Sequence, residues 1–109
     1  MTWLLRHGDV LAAAEVADTF GKQAKGLLGL PSYEGAMLFP RARSVHTLGM
    51  RFAIDVAFCD KDMVVLDVVR LRPWRFSRPR RRGRSVIEAQ AGAFERWGLR
   101  IGDTVELRG

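Results

Sequence analysis

Cysteine is almost absent from this chain: Cys59 is the only one among 109 residues, so no intrachain disulfide can hold the fold together. At this length none is needed, because a chain of this size buries roughly two-thirds of the surface that its unfolded form exposes. A lone thiol inside an apolar run reads as a small buried hydrophobe, and the compartment as a reducing one. Long apolar runs are missing too. Nothing approaches the roughly 18 residues that a membrane span requires, and the first residues lack the charged start, apolar stretch and small-residue cleavage site of a secretory signal. The expectation is a cytoplasmic protein with no transmembrane segment.

Histidine is equally scarce. His7 and His46 stand far apart, and with one cysteine and scattered acids they offer no recognised metal-ligand spacing. There is no Walker loop, no glycine-rich dinucleotide turn and no Gly-x-Ser-x-Gly nucleophile elbow, so neither a metal nor a cofactor is expected. Acid is lacking in one stretch only: residues 70–84 hold eight arginines and no Asp or Glu. Outside it, ten basic residues face twelve acidic ones, so the net charge of +6 belongs to that segment and its borders.

Against these absences stands a strong alternation. In VHTLGMRFAIDVAF, residues 45–58, the even positions carry His46, Leu48, Met50, Phe52, Ile54, Val56 and Phe58, whereas Thr47, Arg51 and Asp55 are odd. Period-two alternation over that length predicts a half-buried strand or a bent pair of strands, with Gly49 as the place for a kink or bulge.

The rest of the chain supplies short elements separated by turn residues. Residues 3–6 read as a strand, His7-Gly8-Asp9 as a turn, and 10–17 as a second strand or, through Ala12-Ala13-Ala14, a helical start. Asp18 or Thr19 can cap a helix to about Leu28, with Phe20, Ala24, Leu27 and Leu28 on one face and Gly29 and Pro31 as the stop. A strand over 36–39 ends at Pro40, and Asp60-Lys61-Asp62 makes a tight connection. Residues 63–71, apolar on both faces, predict a central strand. Pro73 and Pro79 make 72–84 a loop; 85–89 is a strand, 93–97 a short helix ended by Gly98, and 104–107 a terminal strand. With no internal repeat and no linker, residues 1–109 form one domain: α+β, small, mostly β and barrel-like, with one short helix in the N-terminal third and another near the C-terminus.

Five fragments in order resemble a bacterial and archaeal family known as domain of unknown function 192: Lys25-Gly26-Leu27-Leu28-Gly29, Ala36-Met37-Leu38-Phe39, the stretch from Met50 to Asp60, Val86-Ile87-Glu88, and Gly98-Leu99 with Gly102-Asp103. His46-Thr47 ahead of Met50-Arg51-Phe52, and Pro73-Trp74-Arg75 further on, are similar to one branch of it. Two positions depart from the pattern: Leu30, where many members have a basic residue, and Ala53, where proline is frequent. The resemblance implies a compact β-rich domain and no established activity.

Two groups of residues are candidates for function. The first is His46, Thr47, Arg51, Asp55 and Glu88 as a polar ligand site, with Arg51 paired to Glu88, because a carboxyl among β-branched residues needs a cation or water. The second is the loop RLRPWRFSRPRRRGR, in which Arg72, Arg75, Arg78, Arg80, Arg81, Arg82 and Arg84 interleave with Trp74 and Phe76. That composition suits an anionic or polar small molecule, single-stranded nucleic acid or an anionic membrane surface; the plain reading is a solvated loop with Pro73-Trp74 packed as a lid on the barrel. The expected function is non-catalytic binding at a surface shared by both groups. The alternatives are a hydrolase or lyase using His46 as base with Asp55 or Glu88 orienting it, and a structural or assembly partner marked by an exposed apolar patch.

Overall fold

Turn residues cut the chain into strands too short to stand alone, and they assemble into one sheet. The computed structural model describes residues 1–17 and 27–109. Its strands are β1 (Thr2–Arg6), β2 (Asp9–Val16), β3 (Ala36–Pro40), β4 (Ile54–Cys59), β5 (Val65–Leu71), β6 (Ser85–Gln90) and β7 (Val105–Arg108), with one helix, α1 (Ala93–Trp97), before β7. The sheet order is β5-β4-β6-β3-β2-β1-β7. All pairings are antiparallel except β2 with β3.

The outer strands of this order approach each other at one end. Val65 N donates to Asp103 O at 2.8 Å, Gly102 N to Val65 O at 2.8 Å and Val105 N to Met63 O at 3.0 Å, and Val64 bridges Thr104. The sheet is thereby stitched along a short seam into a half-barrel. Satisfying backbone groups at both outer strands also removes part of the template that a bare edge offers to another chain.

Two apolar clusters use the two faces. Ala57, Ile87 and Ala89 pack with Leu4, Phe94 and Leu99 on the face that carries α1. Val56, Phe58 and Val86 pack with Met37, Phe39, Val45 and Met50 on the other. Every residue of β4 is buried, so β4 is the strand covered on both sides. β5, expected there from its Val and Leu content, lies at the end of the sheet order, and most of its residues are only half-buried. Its apolar side chains still divide between the faces, Val68 toward α1 and Val69 and Leu71 opposite; the pattern that suggested a central strand reflects two half-covered faces.

The helix expected from Asp18 or Thr19 falls almost entirely on residues 18–26, outside those described. Leu27 to Gly29 form a turn, with Leu30 N donating to Leu27 O at 3.3 Å. The strand expected over 45–58 is regular only in β4. Among the described residues no helix is long and apolar enough to cross a membrane.

α1 is only five residues long and begins at Gly92, which has no side chain to cap it. Asp55 of β4 supplies the missing acceptor: Oδ2 receives Gly92 N at 2.9 Å and Phe94 N at 3.2 Å, and Oδ1 receives Arg70 Nε at 2.9 Å. With 3% of its surface exposed, Asp55 is the link between central strand and helix. Asp55→Ala would leave two amides at the helix start without an acceptor, and is expected to cost about 2–4 kcal/mol in urea denaturation. Arg70→Ala, which removes a guanidinium that is more than half exposed, is expected to cost much less.

Candidate functional site

Residues 43–47 and 74–80 lie side by side as an irregular antiparallel ribbon. Arg80 N donates to Arg43 O at 2.9 Å, Ser77 N to Val45 O at 2.8 Å, Thr47 N to Arg75 O at 2.8 Å and Trp74 N to Thr47 O at 2.9 Å. Ser77 Oγ accepts Val45 N at 2.8 Å. The Thr47 hydroxyl donates to Arg72 O at 2.6 Å and accepts Arg75 N at 2.8 Å. The loop with two prolines is thus held through its backbone, and Thr47, fully buried, is the peg that holds it. A hydroxyl committed in this way cannot be the exposed ligand contact expected of it.

The ribbon also settles which way its side chains point. His46 and Phe76 are directly opposed in the bridge; the peptide bonds on either side carry the hydrogen bonds, which is the pairing that brings side chains closest. Their rings lie 6.3 Å apart at 50°. Val45 and Thr47 point inward and His46 outward, the reverse of the phase expected from the even positions. From Met50 onward the even positions do line the core. The register changes through the turn at Leu48-Gly49, where Met50 N donates to Thr47 O at 3.1 Å. Gly49 has φ 77°, a left-handed conformation that calls for glycine, while a Cβ there would meet only the tip of the exposed Leu28 side chain, at 2.6 Å.

Outside the ribbon the candidate residues separate. Asp55 shares the α1 face with Ala57, whereas Glu88, paired in register with Met37 and Val56, belongs to the opposite face. Asp55 spends its oxygens on α1 and Arg70. His46 Nδ1 accepts Leu48 N at 3.3 Å, and among the described residues no carboxylate reaches that ring. A base oriented by either acid is therefore not assembled. Arg51 is exposed and makes no ion pair with Glu88. Cys59 is buried, and burial pushes its thiol up to about 12, which leaves it inert.

The arginines of the loop divide into two kinds. Arg80 is structural: Nε and Nη2 both reach Asp67 Oδ2, at 3.0 and 2.8 Å, and the guanidinium lies 4.2 Å from the centre of the Phe58 ring. Arg70, at the border, is taken by Asp55. The other six, Arg72, Arg75, Arg78, Arg81, Arg82 and Arg84, are exposed and meet no carboxylate among the described residues. Trp74 and Phe76 stand among them with 63% and 70% of their surface exposed, so Trp74 is not a lid on the barrel. Trp74 also holds φ 64°, a left-handed conformation uncommon for a bulky residue.

A cleft of about 660 Å³ between β2, α1 and the 33–35 turn escaped the sequence reading. Tyr33, Gln90, Arg96 and Trp97 are among its lining residues. Tyr33 N donates to Gln90 Oε1 at 3.1 Å and its hydroxyl to Glu15 Oε1 at 3.1 Å; burial, and then Glu15, hold the phenol above its usual range. These residues lie on separate elements, and no local motif joins them. Among the described residues no cluster of three or more His, Cys, Asp or Glu is placed to hold a metal ion.

Glu88 is the one buried acid without a hydrogen bond or ion pair among the described residues; it is 7% exposed, and burial raises it from 4.5 to about 8. Below pH 4.5 it is protonated whether the chain is folded or not. As pH rises toward 8 only the unfolded chain releases the proton, so this contribution to stability is lost across that window, by roughly 4–5 kcal/mol in all. Glu88→Gln is expected to flatten the decline in urea midpoint between pH 5 and 8; an unchanged decline would show that Glu88 is ionised in the folded protein.

With this geometry in place, comparison with known proteins is direct. Residues 4–107 match the family DUF192, described as an uncharacterized ACR. A UPF0127 protein of Thermococcus sibiricus is 35% identical over 98 residues, which cover 84% of this chain and 64% of that protein. A UPF0127 protein of Pyrococcus furiosus is 37% identical over 95 residues, 83% of this chain and 82% of the relative. Two crystal structures share the fold: a protein of unknown function from Novosphingobium aromaticivorans, with TM-score 0.79 and 23% identity over 96% of this chain and 82% of that one, and a protein from Sinorhizobium meliloti, with TM-score 0.76 and 21% identity over 96% and 90%. The chain belongs to the DUF192 family of uncharacterised proteins.

Proposed function

We propose that this domain binds an anionic partner on the outer face of the ribbon, where His46, Trp74 and Phe76 stand among the exposed arginines of the loop, without catalysing a reaction. The observation that supports it most is the combination of six arginines that meet no carboxylate among the described residues with two large aromatic side chains left in water. Trp74 holds its exposed ring on a left-handed backbone conformation, which is uncommon for a bulky residue. Rigid anchoring of the backbone lowers the ordering cost of binding, because the cations and rings are already in place. Arg51, exposed on the same connecting stretch, is a further candidate contact for a small anion.

Asp55, Thr47 and Arg80 are outside this site, since the fold uses their polar atoms. Arg81 and Arg82, at the turn and without a partner among the described residues, are its best probes. Inorganic polyphosphate titrated at 50 and 200 mM salt should bind more weakly at the higher concentration by about tenfold or more, as expected when several phosphates are neutralised. Arg81→Glu with Arg82→Glu should abolish the binding while leaving the urea midpoint unchanged. Salt-independent binding, or none, would overturn the proposal.

A further inference from the structure

Resting on that reading, we infer that the anionic partner is single-stranded nucleic acid, with bases stacking on Trp74 and Phe76 and phosphates met by the arginines between and beyond them. Along Arg72-Pro73-Trp74-Arg75-Phe76-Ser77-Arg78 two exposed rings stand among three exposed guanidinium groups. A polynucleotide likewise joins a planar apolar base to an anionic phosphate at each step. Both rings are exposed and so offer surface on which a base can stack; stacking tolerates any base, since each has a π face. His46 adds a third ring beside Phe76.

Two further facts favour this partner over a lipid surface. First, the rings are carried on a ribbon whose backbone is hydrogen-bonded on the opposite strand at Val45 and Thr47, so they are set at fixed positions instead of on a segment free to sink into a bilayer. Second, Arg75 stands between the two rings in the chain, with Arg72 and Arg78 beyond them, whereas headgroup-level anchoring relies on an apolar face that enters as a unit.

The test uses the full chain and four probes: a 12-nucleotide oligothymidylate, an abasic oligomer of the same length, inorganic polyphosphate, and vesicles of phosphatidylglycerol and phosphatidylcholine. Binding of the oligothymidylate is expected to be about tenfold or more tighter than that of the abasic oligomer and to quench tryptophan fluorescence. Trp74→Ala and Phe76→Ala, both at exposed positions, should each remove about tenfold of that affinity with no change in its salt dependence. Arg81→Ala should instead lower the slope of log affinity against log salt by about 0.7. Equal binding of the thymidylate and abasic oligomers would overturn the inference and leave the anionic-surface reading standing, as would binding of vesicles in preference to either. Absence of salt-sensitive binding to polyphosphate and to both oligomers would overturn both.

Discussion

Thr47 has no contact with water and carries three polar groups, and all of them are spent on its surroundings. Its amide, carbonyl and hydroxyl engage Arg75, Trp74, Met50 and Arg72, which pins a proline-containing loop to the segment entering the sheet. A buried polar group without a partner is costly, so this arrangement has little freedom to change. Everything on the outer face of the ribbon follows: with Thr47 and Val45 inward, His46 and Phe76 are outward and Trp74 cannot fold back over the core. The exposed rings are a consequence of the buried hydroxyl.

Asp55 plays the corresponding part on the other side of the sheet. Asp55 is almost wholly buried, and two backbone amides of α1 with the Arg70 guanidinium satisfy its carboxylate. The helix is too short to be stable alone, so its position is decided by this carboxylate and by Phe94 in the apolar cluster. Glu88, on the neighbouring strand β6 but on the opposite face, has no such arrangement among the described residues, and burial favours its protonated form. Two acids on adjacent strands therefore meet different surroundings because their faces differ.

Much of the fold was legible before the structure. Gly and Pro marked the turns, and the short runs between them marked β1, β3, β6 and β7, with β2 left open between strand and helix, because local backbone chemistry decides both. The place of β5 was not, since Val and Leu on both faces look alike whether a strand is central or lies at an edge closed by a seam. The site was legible in part. The arginines and aromatic residues of 70–84 were visible as composition, and Gly49 as a kink, but alternation could not say that the kink changes register and so turns His46 outward and Thr47 inward. Pairings such as Arg80 with Asp67, or Asp55 with the amides of α1, arise between elements far apart in sequence and leave no local signal.

The seam between residues 63–65 and 102–105 bears on how the chain acquires its structure. β7 completes two sides at once: the outer edge of β1, far away in sequence, and the stitched end of β5. Until β7 is in place both margins of the sheet stand open, and sheet margins in that condition are where partly folded chains adhere to one another. One short strand thus decides when the sheet ceases to be adhesive.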